Sequence, residues 1–332
     1  MEKEKYKMNI AMLGHKRIPS REGGIEIVVE ELSTRMVMLG HSVTCLNRGG
    51  QPLQGQKQAL SRKKEYKGVK IRSVLTWDRK GLAAVTASIT GAIIAALGKY
   101  DVVHFHAEGP CVMMWLPKML GKRCVATIHG LDYQRAKWGK LASTYILLGE
   151  KCAVKYADEI IVLSESNQKY FWDTYHRMTR FIPNGVNEPQ VRQACIITEK
   201  YGLLGEDYLF FSGRLVPEKG IQYMIDAFKR VKTDKKLVIA GGSSDTSNYV
   251  KELIERASDD KRIKFIGFVQ GQELEELYSN AYVYILPSDL CYSAFCTVSP
   301  HHIFNQIKIR YTINYSDREY IRLIYAVPFV LS

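Results

Sequence analysis

The sequence is short of the features that mark several common chemistries. Its seven cysteines, Cys45, Cys111, Cys124, Cys152, Cys195, Cys291 and Cys296, are odd in number and scattered, with no Cys-x-x-Cys pair and no His-x-x-x-His partner. A disulfide framework and a zinc site therefore lack support, and no metal is expected. There is no G-x-G-x-x-G loop and no G-x-x-x-x-G-K-[ST] loop. Those absences exclude a nicotinamide or flavin dehydrogenase and a P-loop nucleotidase. The opening MEKEKYK alternates charge and runs into MNIAML, a strand pattern and not the apolar core of a signal peptide. Export is thus not expected, and reduced thiols suit the cytoplasm.

Long apolar runs are also scarce. Residues 81–98 form one charge-free stretch of 18 residues, at the lower limit of about 18 for a membrane span. Within it Leu82, Val85, Ile89, Ile93 and Leu97 recur at steps of three and four, with Ala, Thr, Ser and Gly between them. That spacing predicts a one-faced helix whose large residues pack on a sheet, not a span.

What is present is a globular composition. With 332 residues, 46% of them hydrophobic and 24% charged, the chain can bury two cores and is no disordered or coiled-coil protein. The net charge of +13 is unevenly spread: +12 lies in residues 1–190 and +1 thereafter. Much of the excess sits in Lys57, Arg62, Lys63, Lys64, Lys67, Lys70 and Arg72, with Glu65 the one acid among them. Such a run is either a solvated loop or a patch drawn to a polyanion. No zinc-finger spacing or RNP-like aromatic motif accompanies it, so nucleic acid is not the expected partner and an anionic inner membrane surface is preferred.

Short apolar strands alternate with helical patterns along residues 8–182, with strands over 8–13, 42–46, 69–75, 101–105, 123–128, 159–163 and 181–182. After the turn-rich PNGVNEP the rhythm restarts, with strands over 208–212, 236–240, 262–266 and 282–286. This pattern predicts an α/β protein of two tandem doubly wound, Rossmann-like domains, 1–190 and 191–290, with ligands beyond the carboxyl ends of the strands. Residues 291–332 break the pattern. They hold no Gly, five Tyr and six Ile but one Lys and two acids, which reads as a foreign or frame-altered tail on an incomplete second domain.

Several strand ends carry polar groups. The first strand opens into GHKRIPSREGGIE, where Gly23 and Gly24 precede a helix whose free N–H groups suit a phosphate. His104 and His106 end one strand, and His129 ends the next, followed by Gly130 and Asp132. Imidazole and carboxylate suit hydrogen bonding to sugar hydroxyls or acid/base work, though a lone His is as readily a structural residue. In the second half SGRLVPEKGI places Gly213, Arg214 and Lys219 between a strand and a helix, where a guanidinium and an ammonium can neutralise a diphosphate. LVIAGGSSD adds Gly241 and Gly242, which allow close approach of a ligand.

In this order GGIE with VVEEL, HFH, HGLD, IPNGV, SGRLVPEKG, IAGG and YILPSD resemble a family 4 glycosyltransferase of the two-Rossmann GT-B architecture. The first loop further resembles bacterial rhamnosyltransferase-like enzymes of capsule or other surface polysaccharide synthesis. The resemblance implies retaining, metal-independent transfer of a sugar, rhamnose in that subgroup, from a nucleotide diphosphate-sugar to a lipid-linked or glycan acceptor, with no resident cofactor. Arg214 and Lys219 match the diphosphate-binding pair, and His129 the residue beside the transferred sugar. Gly23, Gly24, Gly213, Gly241 and Gly242 fall on the donor side, and His104, His106 and Asp132 on the sugar or acceptor side. After LPSD the family carries two glutamates eight positions apart; here the chain reads LCYSAFCTVSP and has neither. That departure predicts weakened or lost activity. It keeps two alternatives in view: a non-catalytic remnant binding an anionic membrane or partner, and a nucleotide-sugar epimerase of the same architecture.

Overall fold

The computed structural model describes residues 7–20, 23–49, 64–77, 79, 82–134, 139–185, 190–242, 247–287, 307–308 and 327–328. The chain divides into two compact units, Met1–Asn184 and Gly185–Ser332, and each contains a mainly parallel sheet.

In the first unit β1 (Asn9–Leu13), β2 (Ser42–Arg48), β3 (Glu65–Tyr66), β4 (Val69–Val74), β5 (Val102–His106), β6 (Arg123–Ile128), β7 (Glu159–Val162) and β8 (Arg180–Phe181) form an eight-stranded sheet, ordered β3-β4-β2-β1-β5-β6-β7-β8. All pairs are parallel except the hairpin β3–β4. Ile10, Ala11, Met12 and Leu13 are all buried, because a central parallel strand is covered on both faces and reads as a continuous apolar run. The chain steps from β1 outward to β4, then returns to lay β5 on the other side of β1. This reversal opens a crevice at the carboxyl ends of β1 and β5, where ligands of such sheets bind.

The helices α1 (Gly24–Met38), α2 (Leu82–Leu97), α3 (Trp115–Met119), α4 (Lys140–Tyr156) and α5 (Glu165–Tyr175) flank this sheet in sequence. The α2 helix forms as its spacing predicts, but it turns the opposite face inward. Ala87, Ser88, Gly91, Ala92, Ala95 and Ala96 are buried, whereas Leu82, Ile89, Ile93 and Leu97 are exposed and Val85 is half-buried. Small side chains let the helix backbone lie close to its neighbours, and close packing outweighs the area that the larger residues would have buried. No described helix is long and apolar enough to cross a membrane. Of the basic run, Lys57, Arg62 and Lys63 lie outside the described residues. Lys64, Lys67, Lys70 and Arg72 are exposed around the β3–β4 hairpin, where lysines on an edge strand also discourage pairing with another chain.

The second unit begins with α6 (Ile196–Tyr201) and has β9 (Tyr208–Ser212), α7 (Ile221–Arg230), β10 (Lys236–Ala240), α8 (Ser247–Ala257), β11 (Ile263–Gly267), α9 (Gln272–Ser279) and β12 (Val283–Tyr284). Its parallel strands run in the order β11-β10-β9-β12, so the direction of winding reverses at β9. Phe211, Ile221, Met224, Ile225 and Phe228 fill one side of this sheet and Tyr208, Phe210, Val238 and Leu277 the other. The tail predicted to differ after Leu290 lies outside the described residues, except for the antiparallel pair β13 (Ile307–Lys308) and β14 (Val327–Pro328).

One buried carboxylate ties α6 to α9. Glu276 Oε2 accepts the backbone N–H groups of Cys195, Ile196 and Ile197 at 3.0, 2.7 and 3.2 Å. Burial alone would raise the Glu276 carboxyl, but these donors, with Gln272, hold it below the usual glutamate range. A depressed carboxyl contributes stability above its unfolded pKa and loses it as pH falls through the folded value. Glu276→Ala is therefore expected to lower the thermal midpoint at pH 7 by several degrees, with the gap to the parent chain closing on acidification below about pH 4. Scanning calorimetry across that range checks this; a gap independent of pH would refute it.

Candidate functional site

At the reversal point of the first sheet the end of β1 and the end of β5 touch backbone to backbone. Gly14 has φ +105°, and a Cβ there would lie 2.2 Å from the His106 carbonyl oxygen, so no other residue fits without moving the strand. This contact sets a row of imidazoles at adjacent strand ends. His15 follows Gly14, His104 and His106 lie on β5, and His129 follows β6, with His106 in register with Thr127.

The first three rings are buried. His15 Nε2 meets Asn47 Oδ1 at 2.9 Å, and His104 Nε2 meets Thr127 Oγ1 at 2.8 Å. His104 stacks on His106 with centroids 4.3 Å apart, and His106 Nδ1 lies 3.1 Å from Nε2 of the half-buried His129. Burial pushes His15 and His104 down to about 4. It pushes His106 down as well, helped by His104, His129 and His15. His15, His104 and His106 are neutral near pH 7, so each of these rings carries one proton. His106 Nε2 is buried with no hydrogen-bond partner, and an orphaned N–H costs more than an orphaned lone pair. His106 therefore keeps its proton on Nδ1 and donates it to His129 Nε2, which leaves the His129 proton on Nδ1.

His104 and His106 are 5% and 0% exposed. His106 stands between His104 and His129, stacked on the first and meeting the second directly. Asp132 is half-buried, and its backbone N–H donates to Glu108 Oε1 at 3.1 Å. Glu108 itself is fully buried with Oε2 unpartnered. Burial, then the Asp132 charge, pushes its carboxyl well above the usual range. Glu108 and His15 were not among the residues singled out from the sequence. Their signals were the AEGP that follows HFH and the GHK that follows β1.

Gly23 and Gly24 open α1, with Gly23 extended at the N-cap. The first turn carries Glu26, which accepts the Lys16 N–H at 2.9 Å. A Cβ on Gly23 would meet Glu26 Oε2 at 2.5 Å, whereas Gly24 has open space around it. The end of α1 that reads as a phosphate cradle thus faces a carboxylate here, with Arg48 close enough to feel the Glu26 charge.

In the second unit the loops after β9 and β10 are laced together. Gly213 N–H donates to Ala240 O at 3.1 Å and Leu215 N–H to Gly242 O at 3.2 Å. A Cβ on Gly241, at φ +153°, would lie 1.9 Å from the Gly213 carbonyl oxygen. Arg214 stands exposed on this loop, and Lys219 lies half-buried in a 3-10 turn (Pro217–Lys219) that leads into α7. The two cations belong to one loop at the reversal point of the sheet, but a full turn of backbone separates them. No group of three or more His, Cys, Asp or Glu able to hold a metal ion occurs among the described residues.

Comparison with known proteins covers both units. The family model Glycosyltransferase Family 4 matches residues 22–189, and Glycosyl transferases group 1 matches residues 196–299. An uncharacterized glycosyltransferase of Methanocaldococcus jannaschii is 27% identical over 320 residues, covering 85% of this chain and 75% of that protein. O-antigen chain mannosyltransferase B of Escherichia coli is 24% identical over 105 residues, 30% of this chain and 28% of that one. Among solved structures, Anabaena HepE in complex with UDP and glucose aligns with a TM-score of 0.65 and 18% identity, over 85% of this chain and 74% of that one. At that identity the likeness establishes the GT-B fold.

Two outcomes follow for the histidine row. His104 neutral in the fold, at about 4 against 6.5 unfolded, contributes stability above pH 6.5 that is lost as pH falls toward 4, about 3 kcal/mol in all. His104→Gln keeps a partner for Thr127 without titrating. The stability difference between the two chains should shift in favour of Gln by that amount between pH 6.5 and 4 in urea melts, and a constant difference would contradict it. His106→Phe should release His129 from the Nδ1–H form, a change that imidazole ¹⁵N chemical shifts read directly; unchanged shifts would remove His106 from this role.

Proposed function

Because the chain belongs to glycosyltransferase family 4, we propose that it moves a sugar from a nucleotide diphosphate-sugar to a lipid-linked or glycan acceptor in surface-polysaccharide synthesis. The observation that carries this reading is the laced backbone of the second unit, where Gly213, Gly241 and Gly242 draw the loops after β9 and β10 together and the first of those loops carries Arg214 and leads to Lys219. In the transfer the bond from the anomeric carbon to the diphosphate oxygen breaks and its electron pair leaves with the diphosphate, while an acceptor hydroxyl oxygen bonds to the anomeric carbon and its proton passes to the departing diphosphate. Arg214 and Lys219 meet that growing charge, the kind of stabilisation that dominates such reactions. His129, fixed in one tautomer by His106, offers a hydrogen bond to the transferred sugar. No step calls for a metal, and retention of configuration is proposed on family likeness. Rhamnose is the proposed sugar, on the likeness of the first loop to rhamnosyltransferase-like enzymes; O-antigen synthesis in the mannosyltransferase relative supports a glycan acceptor more broadly.

A second reading is favoured by one observation. No Asp or Glu occurs between Asp289 and Asp317, so the carboxylates that the family places after its LPSD motif are absent, and a chain that binds without transferring fits that loss. Labelled nucleotide-sugar incubated with membrane acceptors separates the two: label in a glycan product establishes transfer, and bound nucleotide without product establishes the remnant. Arg214→Ala is expected to weaken nucleotide diphosphate binding by about 1.5–3 kcal/mol, the worth of a charged hydrogen bond. Calorimetric titration with UDP, GDP and dTDP measures it; an unchanged Kd for whichever binds would take Arg214 out of the site.

A further inference from the structure

The loop that follows β6 carries His129 and Asp132, and a chain of hydroxyl groups fastens it to the helices of the first unit. Tyr133, the residue after Asp132, sits in a 3-10 turn (Asp132–Gln134). Its hydroxyl donates to Tyr170 Oη at 3.1 Å, and the Tyr170 hydroxyl donates to Glu150 Oε1 at 2.9 Å. The Tyr175 hydroxyl donates to the same oxygen at 2.5 Å. Glu150 lies on α4, and Tyr170 and Tyr175 lie on α5, so the relay runs from the loop to two helices. Burial pushes both phenols of α5 up, with Tyr133 and Glu150 adding to the effect at Tyr170 and Glu150 adding to it at Tyr175. Both therefore stay protonated donors near neutral pH.

For the fold alone this arrangement is costly. Glu150 is fully buried, and its Oε2 has no hydrogen-bond partner among the described residues; burying a carboxyl group with one oxygen unmatched opposes folding. Apolar side chains of similar volume commonly replace buried charged groups with no loss of stability. What the carboxyl group supplies and a leucine would not is direction: it orients the Tyr170 hydroxyl, which in turn receives Tyr133. The two preceding residues are held as well. Leu131 packs into the core, and the Asp132 N–H donates to Oε1 of the fully buried Glu108 at 3.1 Å. The turn is thus pinned by core packing at Leu131, by backbone at Asp132 and by a side-chain hydroxyl at Tyr133. We propose that Tyr133 is a positioning residue, and that its relay through Tyr170 to Glu150 holds the turn that presents His129 and Asp132 to the sugar, a role that rests on the transferase reading for its effect on transfer and on geometry alone for its effect on the loop.

Hydrogen exchange of the amides in residues 129–134 tests the fastening, and transfer kinetics test its use. Tyr133→Phe and Tyr170→Phe each remove a hydroxyl and keep the ring, and each should speed exchange there roughly tenfold. Tyr175→Phe removes a bond to the same Glu150 oxygen without touching the loop, so exchange in 129–134 and transfer should stay at the parent level whatever the change in thermal midpoint. For transfer from a labelled UDP-, GDP- or dTDP-sugar to membrane acceptors, Tyr133→Phe and Tyr170→Phe should each lower kcat roughly tenfold. The Kd of the matching nucleoside diphosphate should not change, because the cations proposed to hold it lie in the second unit. The double variant should lose no more than either single one, since both break one chain of bonds. Faster exchange in these variants of a parent chain that transfers no sugar supports the fastening while refuting the transferase reading. Exchange in 129–134 that neither substitution moves, or that Tyr175→Phe speeds equally, overturns the proposal. So does faster exchange with kcat at the parent value.

Discussion

Two glycine contacts govern what both sheets can do at their reversal points. Gly14 against the His106 carbonyl and Gly241 against the Gly213 carbonyl each leave less room than a single methyl group needs. Both bring neighbouring loops together by backbone alone, so the positions of the side chains beyond them follow from the strands and not from loop sequence. The imidazole row inherits its spacing from β1, β5 and β6, and the Arg214 loop inherits its path from β9 and β10. Rigid elements hold polar groups at fixed separations better than loops can.

The two sites use charge in opposite ways. Behind His129, burial drives His15, His104 and His106 down and Glu108 up, and the three imidazoles are uncharged near neutrality. These rings act through hydrogen-bond direction and not through net charge. In the second unit Arg214 is exposed and keeps its full charge for a ligand.

Much of this was legible before any coordinates. Continuous apolar runs such as NIAML and LVIA are the mark of buried parallel strands, and the glycines and cations after them fall where strand ends must lie. The roles were harder to read. His104 and His129 are both histidines near strand ends, but β5 is covered on both faces and buries His104, whereas His129 lies past the end of β6 and is half-buried, and a sequence does not show which neighbour covers which residue. Glu108 went unnoticed because an acid in a loop is ordinarily solvated, and only the close approach of Gly149, where a Cβ would lie 2.0 Å from the Glu108 carbonyl, draws that segment beneath α4. For α2 the periodicity was sound and the inference about its buried face was not, since hydrophobic spacing shows that a helix has two faces without saying which one fits its neighbours more closely.

The inverted helix has a consequence for how this fold can change. A core face made of Ala, Ser and Gly holds its place by closeness of approach, and such positions have almost no smaller side chain to fall back on. Their route to failure is growth, not loss. The large residues opposite contribute little to the core, so the fold leaves them free to vary while their chemistry is kept or discarded by whatever they meet outside. In α2 the fold is therefore held by its smallest residues, while its largest are left to meet whatever lies outside.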